Sequence, residues 1–67
     1  MKNYYNILGV LPNADQTTIK YTYKSLAKIY HPDTYQGNKE FAENKMQEIN
    51  EAFQVLSNQT LKHKYDY

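Results

Sequence analysis

Three side chains of different chemistry, the imidazole of His31, the ring of Pro32 and the carboxylate of Asp33, stand together in the stretch Tyr-His-Pro-Asp-Thr-Tyr at residues 30 to 35. An imidazole beside a carboxylate admits three readings: a general base with its orienting acid, a pair of metal ligands, or a turn. General-base catalysis needs a nucleophile within reach, and no serine or threonine here stands in a recognisable nucleophile motif. As metal ligands His31 and Asp33 are two where three or four are needed, and His63 lies far along the chain with no matching spacing. There is no cysteine, so disulfides, thiolate nucleophiles and thiolate metal sites are excluded as well. The expectation is therefore no catalytic residue, no metal and no cofactor. The turn reading is mechanically sound, because proline ends a helix and aspartate can bond the backbone beyond it.

The elements that must position this stretch read as helices. Tyr-Tyr-Asn-Ile-Leu at residues 4 to 8, followed by Gly9 and Pro12, has the form of a short first helix with its stop signals. Asp15 is placed to cap a second helix, in which Ile19, Tyr23, Leu26, Ala27 and Tyr30 recur at three- and four-residue intervals. Pro32 then forces the chain out of the helix from His31 to Asn38. Asn38 is placed to cap a third helix whose apolar stripe is Ala42, Met46, Ile49, Phe53 and Leu56. Ser57 and Asn58 close it and precede a last short helix carrying Leu61 and Tyr65. No alternating apolar and polar segment supports a sheet, so the fold class is all-α: an antiparallel hairpin of the second and third helices, braced by the short first and fourth. Tyr5, Leu8, Ile19, Leu26, Met46, Ile49, Phe53 and Leu56 are the expected buried core, and Phe53→Ala is expected to cost about 3–5 kcal/mol.

At 67 residues the chain has room for one domain. It is read as a single domain over residues 1 to 67, the N-terminal part of a longer protein, because Lys-Tyr-Asp-Tyr ends abruptly after a helical pattern. No run of about 18 apolar residues offers a membrane span, and the N-terminus lacks the apolar core of a signal peptide. A cytoplasmic protein, monomeric as the isolated domain, is expected. The formal net charge is only +1, so any electrostatic function must come from the arrangement of charge. All eight basic residues are lysine. Steps of roughly 100° place Lys20, Lys24 and Lys28 in one sector of the second helix, and one further step brings His31 out near its end. A lysine stripe taken alone is most simply a solvated face. Its junction with the tripeptide is what gives it interest, since both then face one partner. Near-neutral charge and the absence of arginine argue against nucleic acid, and no membrane contact is expected.

In order and spacing, several segments resemble the J domain of the DnaJ co-chaperone family, over essentially the whole chain. They are Asn-Tyr-Tyr-Asn-Ile-Leu-Gly-Val at 3 to 10, Ile-Lys-x-x-Tyr-Lys-x-Leu-Ala from Ile19 to Ala27, Tyr-His-Pro-Asp at 30 to 33, Glu-Ile-Asn-Glu-Ala-Phe-x-Val-Leu at 48 to 56, and Lys-Tyr-Asp at 64 to 66. The resemblance implies a four-helix domain with the tripeptide at the tip of its hairpin. It also implies a co-chaperone that binds a DnaK-type heat-shock chaperone and stimulates ATP hydrolysis by that partner, performing no chemistry itself. Carried over by position, His31, Pro32 and Asp33 are the trigger, and Lys20, Tyr23 and Lys24 dock on the chaperone's acidic surface. Lys28 joins them by its place in the stripe. The family usually has further basic residues where this chain has Tyr21, Ser25 and Ile29, and Arg-Asn where it has Thr34 and Tyr35. This thinner basic face leaves a second expectation: an interaction or scaffold domain with weak chaperone activation, in which Tyr21 and Ile29 contact another protein.

Overall fold

Four side-chain oxygens decide where the helices begin. The computed structural model describes residues 3–67 and is built of α1 (Tyr4–Leu8), α2 (Gln16–Tyr30), α3 (Lys39–Leu56) and α4 (Gln59–Asp66). Asn3, Asp15, Asn38 and Asn58 stand one residue ahead of these helices, each in extended geometry. Each side chain accepts from the backbone amide three residues on, at 2.8 to 3.1 Å. These bonds satisfy donors that a helix start otherwise leaves unpaired. The bond from Thr18 is also why the Asp15 carboxyl is held below the usual carboxylate range.

The ends are equally local. Gly9 takes a left-handed φ of 72°, and with it the Gly9 amide reaches Asn6 O at 3.2 Å and the Val10 amide reaches Tyr5 O at 3.0 Å. A side chain with a Cβ adopts that φ at a cost, which is why glycine stands there. α2 ends at His31, whose ψ of 123° is the extended geometry that the following Pro32 imposes. The boundaries of α1, α2 and α3 agree with those the sequence predicts, α4 carries the expected Leu61 and Tyr65, and no strand occurs among the described residues. Met1 and Lys2, the first two residues of the expected domain, lie outside the described residues.

α2 and α3 form the expected hairpin, and α3 also packs against α1 and α4. The fully buried side chains, Leu8, Ile19, Ile49 and Leu56, come from α1, α2 and α3, and Ala42 and Ala52 of α3 are buried with no exposed surface. Alanine at these places lets neighbouring helices approach the α3 backbone closely, which larger side chains would prevent.

The expected core is too generous. Leu26, Met46 and Phe53 are half-buried, packed against the central cluster of Tyr5, Leu8, Ile19, Ile49, Ala52 and Leu56 without being enclosed by it. Helical periodicity identifies the inward face but not the depth along it. A domain of this size covers only part of that face with other helices. Phe53 instead stacks on Tyr23, with ring centroids 4.1 Å apart and planes 15° from parallel.

α4 packs on α3 and is joined to α1 by polar and aromatic side-chain contacts. Tyr5 donates its hydroxyl to Asp66 Oδ1, and Lys62 Nζ contacts Asp66 Oδ2 at 2.9 Å. The backbone amide of Tyr4 donates to the Tyr65 hydroxyl at 3.0 Å, and the rings of Tyr4 and Tyr65 lie 4.8 Å apart. The Tyr5 and Lys62 bonds hold the Asp66 carboxyl below its usual range. Burial and then the Asp66 bond push the Tyr5 hydroxyl up, and the Asp66 bond also raises Lys62.

Two outcomes follow for stability. Ile49→Ala is expected to cost about 2–5 kcal/mol in denaturant unfolding, and Phe53→Ala less than the 3–5 kcal/mol of an enclosed phenylalanine. An equal or larger loss at Phe53 would show the core is deeper than described. For Asp66 the folded pKa is depressed, so its stabilising effect is present above the unfolded carboxylate range and is lost as pH falls through the folded value. Asp66→Asn should therefore lower Tm at pH 7, with the gap to the unsubstituted chain closing as the solution is acidified. A gap independent of pH would show that the carboxylate charge is not what matters.

Candidate functional site

The hairpin tip is built by one carbonyl. His31 O accepts from the amides of Thr34 at 3.1 Å and Tyr35 at 2.8 Å, so residues 31 to 34 form a β-turn with proline and aspartate at its two central positions. Proline suits the first of these because its fixed φ is the one the turn requires. The arrangement turns both functional side chains outward: that of His31 is 54% exposed and that of Asp33 87%.

The imidazole is not oriented by the neighbouring carboxylate. His31 Nδ1 accepts from the Asp33 backbone amide at 3.2 Å, while the nearest Asp33 carboxylate oxygen is 3.8 Å away. A base oriented by a carboxylate needs the opposite arrangement, with Nδ1–H donating to that oxygen. An accepting Nδ1 places the ring proton on Nε2, so a neutral His31 presents a donor to whatever approaches the tip. Among the described residues no cluster of three or more His, Cys, Asp or Glu could hold a metal ion.

Charge is segregated between the two long helices. α2 carries Lys20, Lys24 and Lys28 with no acidic residue, whereas α3 carries four glutamates and two lysines. The small net charge thus conceals a basic helix backed by an acidic one. The three α2 lysines are exposed and rise about 6 Å per step along the axis. Lys24 and Lys28 line a shallow groove with Tyr21 and Ser25. Lys28 also lines a second depression with Ala27, His31, Asp33 and Thr34. It is the residue through which the lysine stripe and the turn become one surface.

The expected site residues divide accordingly. Lys24, Lys28, His31 and Asp33 are brought together at this end of α2, Pro32 forms the turn between them, and Lys20 lies one turn further back. Tyr23 is placed differently. It is half-buried, stacks on Phe53 and donates its hydroxyl to Asn50 Oδ1 at 2.8 Å, so it holds α2 to α3. Tyr21 and Ile29 are 75% and 56% exposed.

Tyr35, marked in the sequence only as a departure from the family pattern, packs between the two long helices. Its ring is stacked on Tyr30, the last residue of α2, at 5.9 Å, and lies 6.0 Å from Phe41 in the first turn of α3. Lys45 Nζ sits 5.9 and 6.0 Å from the Tyr30 and Phe41 rings, within range of a cation–π attraction. The aromatic character at 30, 35 and 41 was the available signal, but their spacing matches no single helix face.

Comparison with known proteins gives a consistent result. A family model described as the DnaJ domain matches residues 3–66. Chaperone protein DnaJ of Caldicellulosiruptor saccharolyticus is 58% identical over 65 residues, which are 97% of this chain and 16% of that protein. Chaperone protein DnaJ of Chlorobaculum tepidum is 51% identical, over 97% of this chain and 16% of its own length. A J domain-containing protein of Schizosaccharomyces pombe is 48% identical, over 97% and 18%. The chain spans about a sixth of the length of these curated relatives.

Proposed function

We propose that this chain, which belongs to the DnaJ domain family, is a co-chaperone module that binds a DnaK-type heat-shock chaperone and stimulates its ATP hydrolysis. The observation that carries the reading is the continuity of the α2 lysines with the exposed His31-Pro32-Asp33 turn through Lys28. The relatives are named as chaperone proteins, and the reading takes this chain to serve the same purpose. It acts in the cytoplasm, on a partner that is itself the enzyme. No helix among the described residues is long and apolar enough to cross a membrane.

The chemistry divides into encounter and trigger. Lys20, Lys24 and Lys28 face an acidic surface of the partner's ATPase domain, which speeds and orients association at low ionic strength. Asp33, nearly free of protein contact, then pairs with an arginine of the partner in a charge-assisted bond, while His31 offers its Nε2 donor. Binding that favours the hydrolysing arrangement over the resting one shifts the partner's equilibrium; equal binding to both would shift nothing. Single-turnover ATP hydrolysis by a DnaK-type chaperone should accelerate on addition of this domain, and Asp33→Asn should abolish the acceleration without lowering Tm. Equal stimulation by both proteins would remove Asp33 from the trigger.

The exposure of Tyr21 and Ile29 favours a second reading, in which the domain also serves as a scaffold and activates a chaperone only weakly. On that reading stimulation stays weak even at high domain concentration, and a non-chaperone partner is recovered whose binding is lost in Tyr21→Lys. Retention of that partner by Tyr21→Lys would reject this surface.

A further inference from the structure

The hydrogen bonds of the His31-Pro32-Asp33 turn run within residues 31 to 35, so they set its shape without tying it to the helices. The tie is the Tyr35 ring, which spans the gap between Tyr30 at the end of α2 and Phe41 at the start of α3. Tyr30 and Phe41 are themselves in edge contact at 6.2 Å, so the three rings close on one another. The backbone amide of the same residue bonds His31 O at 2.8 Å, so placing the ring also places the carbonyl on which the turn is built.

Gly37 belongs to this arrangement. A Cβ at residue 37 would lie 2.8 Å from Tyr35 Cε2, closer than such atoms approach. The glycine therefore leaves room for the ring where it now sits, and its φ is an ordinary one.

We infer that Tyr35 is a positioning residue: the Tyr30–Tyr35–Phe41 clasp, admitted by Gly37, holds the His31-Pro32-Asp33 turn in one conformation, so that the chaperone meets a preformed trigger. The inference rests on the proposed co-chaperone function. Its physical content is that binding through a turn populated only part of the time weakens apparent affinity by that fraction, while leaving the bound complex unchanged. Tyr35 acts through His31 and Asp33, and its ring is the part that matters.

The test combines backbone 15N relaxation with titrated single-turnover hydrolysis for Tyr35→Ala, Tyr35→Phe and Gly37→Ala. Gly37→Ala displaces the ring without removing it, and all three changes lie away from the central core, so thermal unfolding should stay close to that of the parent chain. Order parameters at the Asp33 and Thr34 amides should fall from the rigid value of about 0.85 toward about 0.6 in Tyr35→Ala and Gly37→Ala. The domain concentration giving half-maximal stimulation should rise about two- to tenfold, the range of one ring pair, with the saturating rate unchanged. Tyr35→Phe should match the parent in both measurements. Unchanged order parameters in Tyr35→Ala and Gly37→Ala overturn the clasp, as does a mobile turn with unaltered half-maximal concentration. If the parent domain stimulates no DnaK-type chaperone, the co-chaperone reading fails, and the clasp is still decided by the relaxation data.

Discussion

Every other helix is placed by the apolar face of α3. Ile49 and Leu56 are sealed from solvent, and Ala42 and Ala52 keep that face flat enough for neighbours to close on it. α1, α2 and α4 each pack against this helix. Burying apolar surface is the main favourable term available to so short a chain, and α3 gathers most of it. The remaining contacts are polar or aromatic, as in the bonds by which Tyr5 and Lys62 hold Asp66 at the far end of α4. Without α3 as a common support there is no hairpin and hence no tip.

The tip inherits its properties from that support. Pro32 stops α2 while its last residues still lie against α3, and the turn that follows projects His31 and Asp33 outward beside Lys28. The helix bearing the lysines has no acidic residue, while the acidic residues concentrate on α3 behind it. A surface of this kind is suited to orienting a negatively charged partner before any close contact forms. Two tyrosines shape this surface further. Tyr21 adds exposed aromatic area to the lysine groove, and Tyr35 sets a ring between the ends of α2 and α3 beside the turn.

Helix limits were legible in the sequence because they are set locally. Asn3, Asp15, Asn38 and Asn58 bond amides three residues away, Gly9 supplies the left-handed φ, and Pro32 constrains only its neighbour. Depth was less legible. The same periodicity that identified Ile49 also selected Met46 and Phe53, yet only packing by other helices decides which of them is enclosed, and Ala52, three residues from Ile49, was passed over for the larger Phe53 beside it. Contacts across long separations were invisible: Tyr5 and Asp66 are 61 residues apart. The site shows both behaviours. His31, Asp33 and the lysines follow from helix rotation and one proline. Tyr23 lies on the inward face that its spacing predicts, but its partners Phe53 and Asn50 and the seat of Tyr35 between two helices depend on the assembled hairpin.

The central claim is that the α2 lysines and the tripeptide turn form one docking surface, and amide chemical-shift mapping tests it most directly. Titration of the labelled domain with the ATP-bound form of a DnaK-type chaperone should perturb amides from Lys20 to Tyr35, with α4 and the outer face of α3 little changed, and the perturbations should weaken together as salt is raised. Perturbations centred on α4, or on the lysines with the His31–Asp33 turn unaffected, would contradict it.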